Sequence, residues 1–104
     1  MTHPRHDLDE LLGHPVRFSM MALLVAAEKA EFAFVRDNVE VSDSVMSKQM
    51  SLLEDVGYVR IKKGFVGKRP RTWLSLTRKG REVFERHLKA VREIAAGNSL
   101  AAAS

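Results

Sequence analysis

The stretch that decides the fold is residues 42–81, SDSVMSKQMSLLEDVGYVRIKKGFVGKRPRTWLSLTRKGR. Its first part has the pattern of an amphipathic helix, because Ser42 is a suitable N-cap and Met46, Met50 and Leu53 recur at helical spacing. From Tyr58 onward the period changes to two, as in a half-buried strand. A helix that runs directly into a strand hairpin is typical of a winged helix-turn-helix.

The hairpin is predicted from the alternation of Val59 and Ile61 with basic residues and from a second apolar run. Gly64 and Gly67 give the connection conformational freedom. Pro70 is poorly suited to a central strand because it lacks an N–H donor, so the return strand is predicted over about 71–76.

The flanking segments predict further helices. Asp7 can N-cap a short helix with Glu10 at capping-box spacing, and Gly13 can end it. The other predicted helices cover about 15–29, 32–38 and 77–97. The predicted fold class is mainly α (α+β): a winged helix-turn-helix with a two-stranded wing and additional N- and C-terminal helices. We expect one domain over residues 1–104, with flexible ends at 1–6 and 98–104.

The charge of the chain is concentrated in one place. Residues 56–81 contain nine Lys or Arg residues and no acidic residue, whereas the rest of the chain carries eight basic and thirteen acidic groups. An asymmetry of this kind indicates a polyanionic partner that meets one patch of the surface. Double-stranded DNA is the first candidate.

Several functional classes find little support in the composition. The chain has no cysteine, which excludes disulfides, thiolate nucleophiles and thiol-based metal sensing. The four histidines lack the spacing of a zinc site, and no glycine-rich phosphate loop precedes a helix. No apolar run is long enough to span a bilayer, and no signal peptide is evident. We therefore expect a cytoplasmic, nucleoid-associated protein that is not an enzyme, needs no cofactor or metal, and has no membrane partner.

The helix after Ser42 is the predicted recognition helix, which would enter the major groove of DNA. If its apolar residues face the core, the remaining side chains suit contacts with bases or phosphates, and Gln49 can pair bidentately with adenine. The alternative is an ordinary solvated helix face, and the adjacent basic hairpin favours the first interpretation. The predicted contacts are Ser42, Asp43, Ser44, Val45, Ser47, Lys48 and Gln49.

The hairpin is the predicted wing. Arginine at an exposed tip can enter a narrow minor groove, and lysine on the strands can neutralise phosphates. The alternative, a hairpin kept soluble by charge, is less favoured because the segment carries one sign only. The predicted wing contacts are Lys62, Lys63, Lys68, Arg69 and Arg71.

Apolar stripes at both ends of the chain predict a homodimer. The last helix has apolar residues spaced four, three and four apart, which forms a narrow seam like that of a coiled coil. The alternative is that both stripes pack on the protomer's own core. The predicted interface residues are Leu8, Leu11, Leu12, Phe84, Leu88 and Val91. A symmetric dimer would select a palindromic site.

The chain also resembles small winged-helix transcriptional regulators related to the MarR and ArsR classes. The motifs that carry the resemblance are HPVR at 14–17, SDSVMSK at 42–48, LEDVGYV at 53–59, GKRPRT at 67–72 and LTRKG at 76–80. The resemblance implies a homodimeric bacterial or archaeal DNA-binding protein whose terminal helices form the dimer. On this resemblance Ser42, Asp43, Ser47, Lys48 and Gln49 fall on the recognition helix, and Lys68, Arg69 and Arg71 fall on the wing.

Two departures from those classes limit the resemblance. The Asp-x-Arg wing motif common in MarR proteins is replaced by KRPR at 68–71, and the cysteine-rich metal boxes of ArsR sensors are absent. The expected function is a sequence-specific transcriptional regulator, acting as a dimeric repressor or autoregulator on a palindromic operator. The alternatives are a winged-helix module that binds protein and a nonspecific chromosome-coating protein. A small-molecule effector is possible, but no motif indicates one.

Overall fold

Residues 2–97, which the computed structural model describes, form four α-helices and three β-strands in the winged-helix order. The elements are α1 (Pro15–Ala26), β1 (Ala30–Glu31), α2 (Phe32–Val39), α3 (Asp43–Asp55), β2 (Val59–Val66), β3 (Arg69–Leu76) and α4 (Arg78–Ala95). The prediction of a mainly α winged-helix fold with a two-stranded wing is confirmed. The predicted flexible tail, 98–104, lies outside the described residues.

The N-terminal segment differs from the prediction. Instead of an α-helix over 7–13, it forms two short 3-10 turns, Pro4–Asp7 and Leu11–Gly13. The first turn packs against α4, although residues 1–6 were expected to be loose. Local capping signals predicted a helix here, but contacts with the rest of the fold set the backbone.

Asp9 makes those contacts. Its Oδ1 accepts hydrogen bonds from the backbone N–H groups of Leu11 and Leu12, at 2.9 and 3.3 Å. Its Oδ2 accepts a hydrogen bond from the Tyr58 hydroxyl at 2.6 Å. Its own N–H donates to Nδ1 of His87 at 2.9 Å. One residue therefore ties the N-terminal segment both to the start of the wing and to α4.

Two of these partners have shifted ionisation. Burial raises the pKa of Tyr58 to about 12, and the hydrogen bond to Asp9 adds to the shift. Burial lowers the pKa of His87, and this effect outweighs the nearby carboxylate of Asp9. Because Nδ1 of His87 accepts a hydrogen bond, the neutral imidazole is the form that fits the fold.

The sheet contains a strand that the sequence pattern did not reveal. The two-residue β1 pairs with β3, which gives the antiparallel order β1-β3-β2. Pro70 lies within β3, earlier than the predicted start of that strand, but β1 reaches only Trp73 and Leu74. Pro70 therefore has a strand neighbour on one side alone, which is the position that tolerates a missing N–H.

The core lies where α1, α2, α3 and the base of the sheet meet. Met46 and Leu53 are fully buried, as predicted from their spacing, and Met50 is partly buried against the same cluster. Gln49 is also buried, on the same side of α3. The fully buried side chains of the core are Leu12, Met20, Met21, Leu24, Val35, Met46, Leu53 and Leu74.

The start of α4 crosses closely over the connection between α3 and β2. Thr77 is the N-cap of α4, and its Oγ1 accepts a hydrogen bond from the N–H of Gly80 at 2.9 Å. The same hydroxyl donates to the carbonyl oxygen of Gly57 at 2.6 Å. A Cβ atom on Gly80 would collide with the backbone carbonyl of Tyr58. Only glycine at position 80 permits this crossing.

Gly80→Ala is expected to lower the free energy of unfolding by about 3 kcal/mol, because the collision is with backbone that cannot move aside. Urea unfolding followed by circular dichroism measures this. Gly13→Ala is the matched control, since a Cβ atom there has nothing within 4 Å and should change stability by less than about 0.5 kcal/mol. Equal stability of the two variants would contradict the close crossing.

Candidate nucleic-acid interface

Helices α2 and α3 are joined by a tight three-residue turn. Glu40 adopts a left-handed conformation (φ 61°, ψ 53°) and ends α2, and Ser42 begins α3 by accepting a hydrogen bond from the N–H of Val45 at 3.2 Å. Arg36 on α2 donates to the carboxylate of Asp43, at the first position of α3, at 2.8 Å. These contacts fix the angle between the two helices of the helix-turn-helix.

Most of the predicted positions of α3 lie on its outer face. Ser44, Val45, Ser47 and Lys48 are exposed, and the hydroxyl groups of Ser42 and Ser44 are hydrogen-bonded to each other at 3.2 Å. Ser42 is exposed but is engaged as the helix cap. Asp43 is also exposed, and it forms an ion pair with Arg36 that offsets its negative charge on this surface.

Gln49 is the exception, and the structure corrects its predicted role. Its side chain is 7% exposed and faces α1, because its position lies between Met46 and Leu53 on the inner side of the helix. Its Oε1 accepts a hydrogen bond from Nη1 of Arg17 at 2.7 Å. A side chain held in this way is not available to read a base edge.

Arg17 links three parts of the molecule. It is the only charged residue of α1, and its Nε donates to the carbonyl oxygen of Leu11 at 2.6 Å while Nη1 binds Gln49. The recognition helix is thereby tied through one guanidinium group to the N-terminal segment. This role was not predicted from the sequence, although a lone cation within an apolar helix was the available signal.

The wing projects a basic surface. Lys62, Lys63, Lys68 and Arg69 are exposed and form no ion pair within residues 2–97. The two strands are joined by the turn at Gly67 and Lys68, where Gly67 has a φ of 63° that glycine adopts without strain. The unpaired positive charge therefore lies along the wing and at its tip.

Two other cations of the basic stretch, Arg71 and Lys79, have partners within the protomer. Arg71 is half-buried, and its Nε lies 3.6 Å from the carboxylate of Glu31. Lys79 donates to the carbonyl oxygen of Val56 at 3.0 Å, so it neutralises the C-terminal end of α3. The structure thus places Arg71 on the wing, as predicted, but with a partner that reduces its free charge.

The predicted dimer residues divide into three groups by their burial. Leu12 and Phe84 are buried in the protomer's own core, where Phe84 stacks on Phe18 at 5.4 Å between ring centroids, so the structure corrects both assignments. Leu11 and Leu88 are partly buried against that core. Leu8 and Val91 are exposed, at 37% and 38%.

The apolar face of α4 continues past the core that covers it. Phe84, His87, Val91 and Ile94 are spaced three, four and three residues apart and so share one face of the helix. The first two are buried, whereas Val91 and Ile94 are each 38% exposed. The predicted interface used Leu88 rather than His87 and did not include Ile94.

The described part of the chain contains no cluster of three or more His, Asp or Glu residues that could hold a metal ion. Within residues 2–97 there is also no helix long and apolar enough to cross a membrane.

The fold and the basic wing define a class of protein, the winged-helix DNA-binding domains. The family model described as "Winged helix DNA-binding domain" matches residues 16–95, and the chain belongs to this family. The structure is similar to a transcriptional regulator homologue from Pyrococcus horikoshii, with a TM-score of 0.83, 26% identity, and coverage of 93% of this chain and 97% of the other.

Two more distant structures share the fold. A MarR family transcriptional regulator from Silicibacter pomeroyi has a TM-score of 0.69 and 22% identity, covering 85% of this chain and 58% of that one. The transcriptional regulator MosR from Mycobacterium tuberculosis, solved in complex with DNA, has a TM-score of 0.69 and 17% identity, covering 94% and 67%. Both share the winged-helix fold of this chain, in line with the family model.

Gln49→Ala is expected to lower the free energy of unfolding by about 1–3 kcal/mol, because it leaves a partly buried guanidinium N–H of Arg17 without its acceptor. Thermal and urea unfolding measure this, with the exposed neighbour Ser47→Ala as the matched control. The relative affinities for single-base variants of a DNA site should stay in the same order. Unchanged stability together with a lost preference at one base pair would restore the base-reading role.

Proposed function

We propose that this protein is a sequence-specific, dimeric repressor or autoregulator that binds a palindromic operator and blocks transcription by occupying it. The observation that carries the proposal is the pairing of an exposed, small-polar helix face with a wing whose free charges are all positive. The helix face can contact base edges in the major groove, and the wing can contact the phosphates beside that groove.

The outer face of α3 supplies the proposed base contacts. Ser44, Ser47 and Lys48 can donate hydrogen bonds to base edges or phosphates, and Val45 can touch a thymine methyl group. Asp43, which shares the charge of Arg36 with Asp37, lies at the edge of this surface. Because Gln49 is buried, we expect sequence preference to depend on four exposed residues: Ser44, Val45, Ser47 and Lys48.

The wing supplies the proposed phosphate contacts. Lys62, Lys63, Lys68 and Arg69 present charge without internal partners in the described part of the chain, whereas Arg71 shares its charge with Glu31. Each phosphate that a cation neutralises adds about 0.9 to the slope of log affinity against log salt. Much of the affinity should therefore be lost at high salt.

The exposed continuation of the α4 face supports the proposed dimer. Val91 and Ile94 extend a face that is buried one turn earlier, and a symmetric partner could cover both. A dimer of this kind would set its two recognition helices about 34 Å apart, one turn of DNA. The operator would then be a palindrome.

A protein-binding winged helix is the second candidate function. It would require an apolar patch on the outer face of α3, where Val45 is 37% exposed but is flanked by serine and lysine. A nonspecific chromosome-coating protein is the third, and it would show a steep salt dependence without sequence preference.

Replacing Lys68 and Arg69 together with Ala is expected to reduce the salt slope of DNA binding by about 2 and to weaken binding to all sequences alike. Fluorescence anisotropy at several salt concentrations measures this. Lys89→Ala with Arg92→Ala removes the same charge from exposed positions of α4 and should leave the slope unchanged. Equal slopes for both double variants would remove the wing tip from the interface.

Val91→Asp with Ile94→Asp is expected to convert the dimer to a monomer, because carboxylates would have to be buried in the interface. Sedimentation velocity at micromolar concentration measures this, and circular dichroism checks that the helix content is kept. Phe34→Asp, at a residue that is 51% exposed on α2, is the control and should remain dimeric. A wild-type monomer, or a dimer that survives the double substitution, would refute this interface.

A further inference from the structure

The wing tip carries an exposed aromatic side chain that the fold does not use. Phe65 is 73% exposed and its neighbour Val66 is 53% exposed, the two largest values among the exposed large apolar residues of the described chain. Phe65 is directly opposite Pro70 in the hairpin, so the two lie on the same face. Because Phe65 and Val66 are exposed near the tip of the wing, neither side chain contributes to the core.

The surroundings of Phe65 favour an anionic partner. Lys63 lies on the same face of the strand, and Lys68 and Arg69 follow the turn, all three exposed. An apolar protein surface or a bilayer interior would leave these charges unpaired. A DNA groove offers the complementary combination, because it has anionic walls and stacked, largely apolar bases between them.

The hairpin reaches well beyond the body of the protein. Phe65 lies six residues beyond Val59, the last buried residue of β2, so it stands about 20 Å from the base of the sheet. Lys63 and Phe65 project from the same face of the strand, about 7 Å apart. A phosphate at the rim of a groove can therefore meet Lys63 while Phe65 enters that groove.

We propose that Phe65, supported by Pro70, is an apolar wedge that enters the minor groove beside the major-groove site and partly unstacks one base step. Apolar wedges of this kind kink DNA by about 20–90°. The inference rests on the proposed function and adds to it a mechanism for sequence preference. The wedge favours flexible pyrimidine–purine steps at positions that no hydrogen bond reads.

The experiment compares the wild-type protein with Phe65→Ala on an operator duplex identified by footprinting. Two readouts are used: the bend angle from energy transfer between dyes at the duplex ends, and the fluorescence of 2-aminopurine placed at successive steps under the wing. Val66→Ala is the matched control, because Val66 is an exposed apolar residue on the opposite face of the same strand.

The wild-type protein should bend the duplex and brighten 2-aminopurine at one step. Phe65→Ala should lose both signals and weaken binding by about tenfold, with an unchanged salt slope because no charge is removed. Val66→Ala should behave as the wild type.

A wild-type complex that is specific but unbent, or a Phe65→Ala complex that bends and brightens equally, would overturn the wedge and leave the proposed function intact. A wild-type protein without specific DNA binding would instead refute the proposed function. Loss of the dimer in Phe65→Ala, seen by sedimentation, would assign the aromatic tip to a contact between copies and overturn the wedge.

Discussion

The close passage of the α4 backbone over Tyr58 is the constraint on which the rest of the structure depends. Gly80 lacks the Cβ atom that would collide there. The hydroxyl group of Thr77 bonds to both chain segments at the crossing, because it donates to the carbonyl oxygen of Gly57 and accepts from the N–H of Gly80. The crossing fixes where the wing leaves α3 and where α4 begins. The basic hairpin and the recognition helix therefore project from one rigid junction, which is the arrangement that two-groove contact with DNA requires.

A second set of contacts links this junction to the N-terminal segment. Asp9 joins that segment to Tyr58 and to His87 of α4, and Arg17 joins it to Gln49 of α3. The region proposed for dimer contacts and the region proposed for DNA contacts thus share partners.

The sequence predicted the elements whose signals are local and failed where distant contacts decided. Period, caps and turn residues located α3, the wing and α4, because each depends on nearby residues. The N-terminal segment was predicted as a helix, but Asp9 binds partners 49 and 78 residues away. Gln49 was predicted on the outer face because the apolar residues of α3 were assigned to the core, whereas a partner on α1 holds it inside. The individual DNA and dimer contacts stay predictions.

The proposed function depends on whether this winged helix reads a particular DNA sequence. The most direct measurement is fluorescence anisotropy of the protein on DNA from upstream of its own gene and on scrambled DNA, from about 50 to about 300 mM salt. We expect a steep salt dependence and a preference of about a thousandfold for the upstream sequence. Equal binding to both duplexes, or no binding at the lowest salt concentration, would contradict the proposed function.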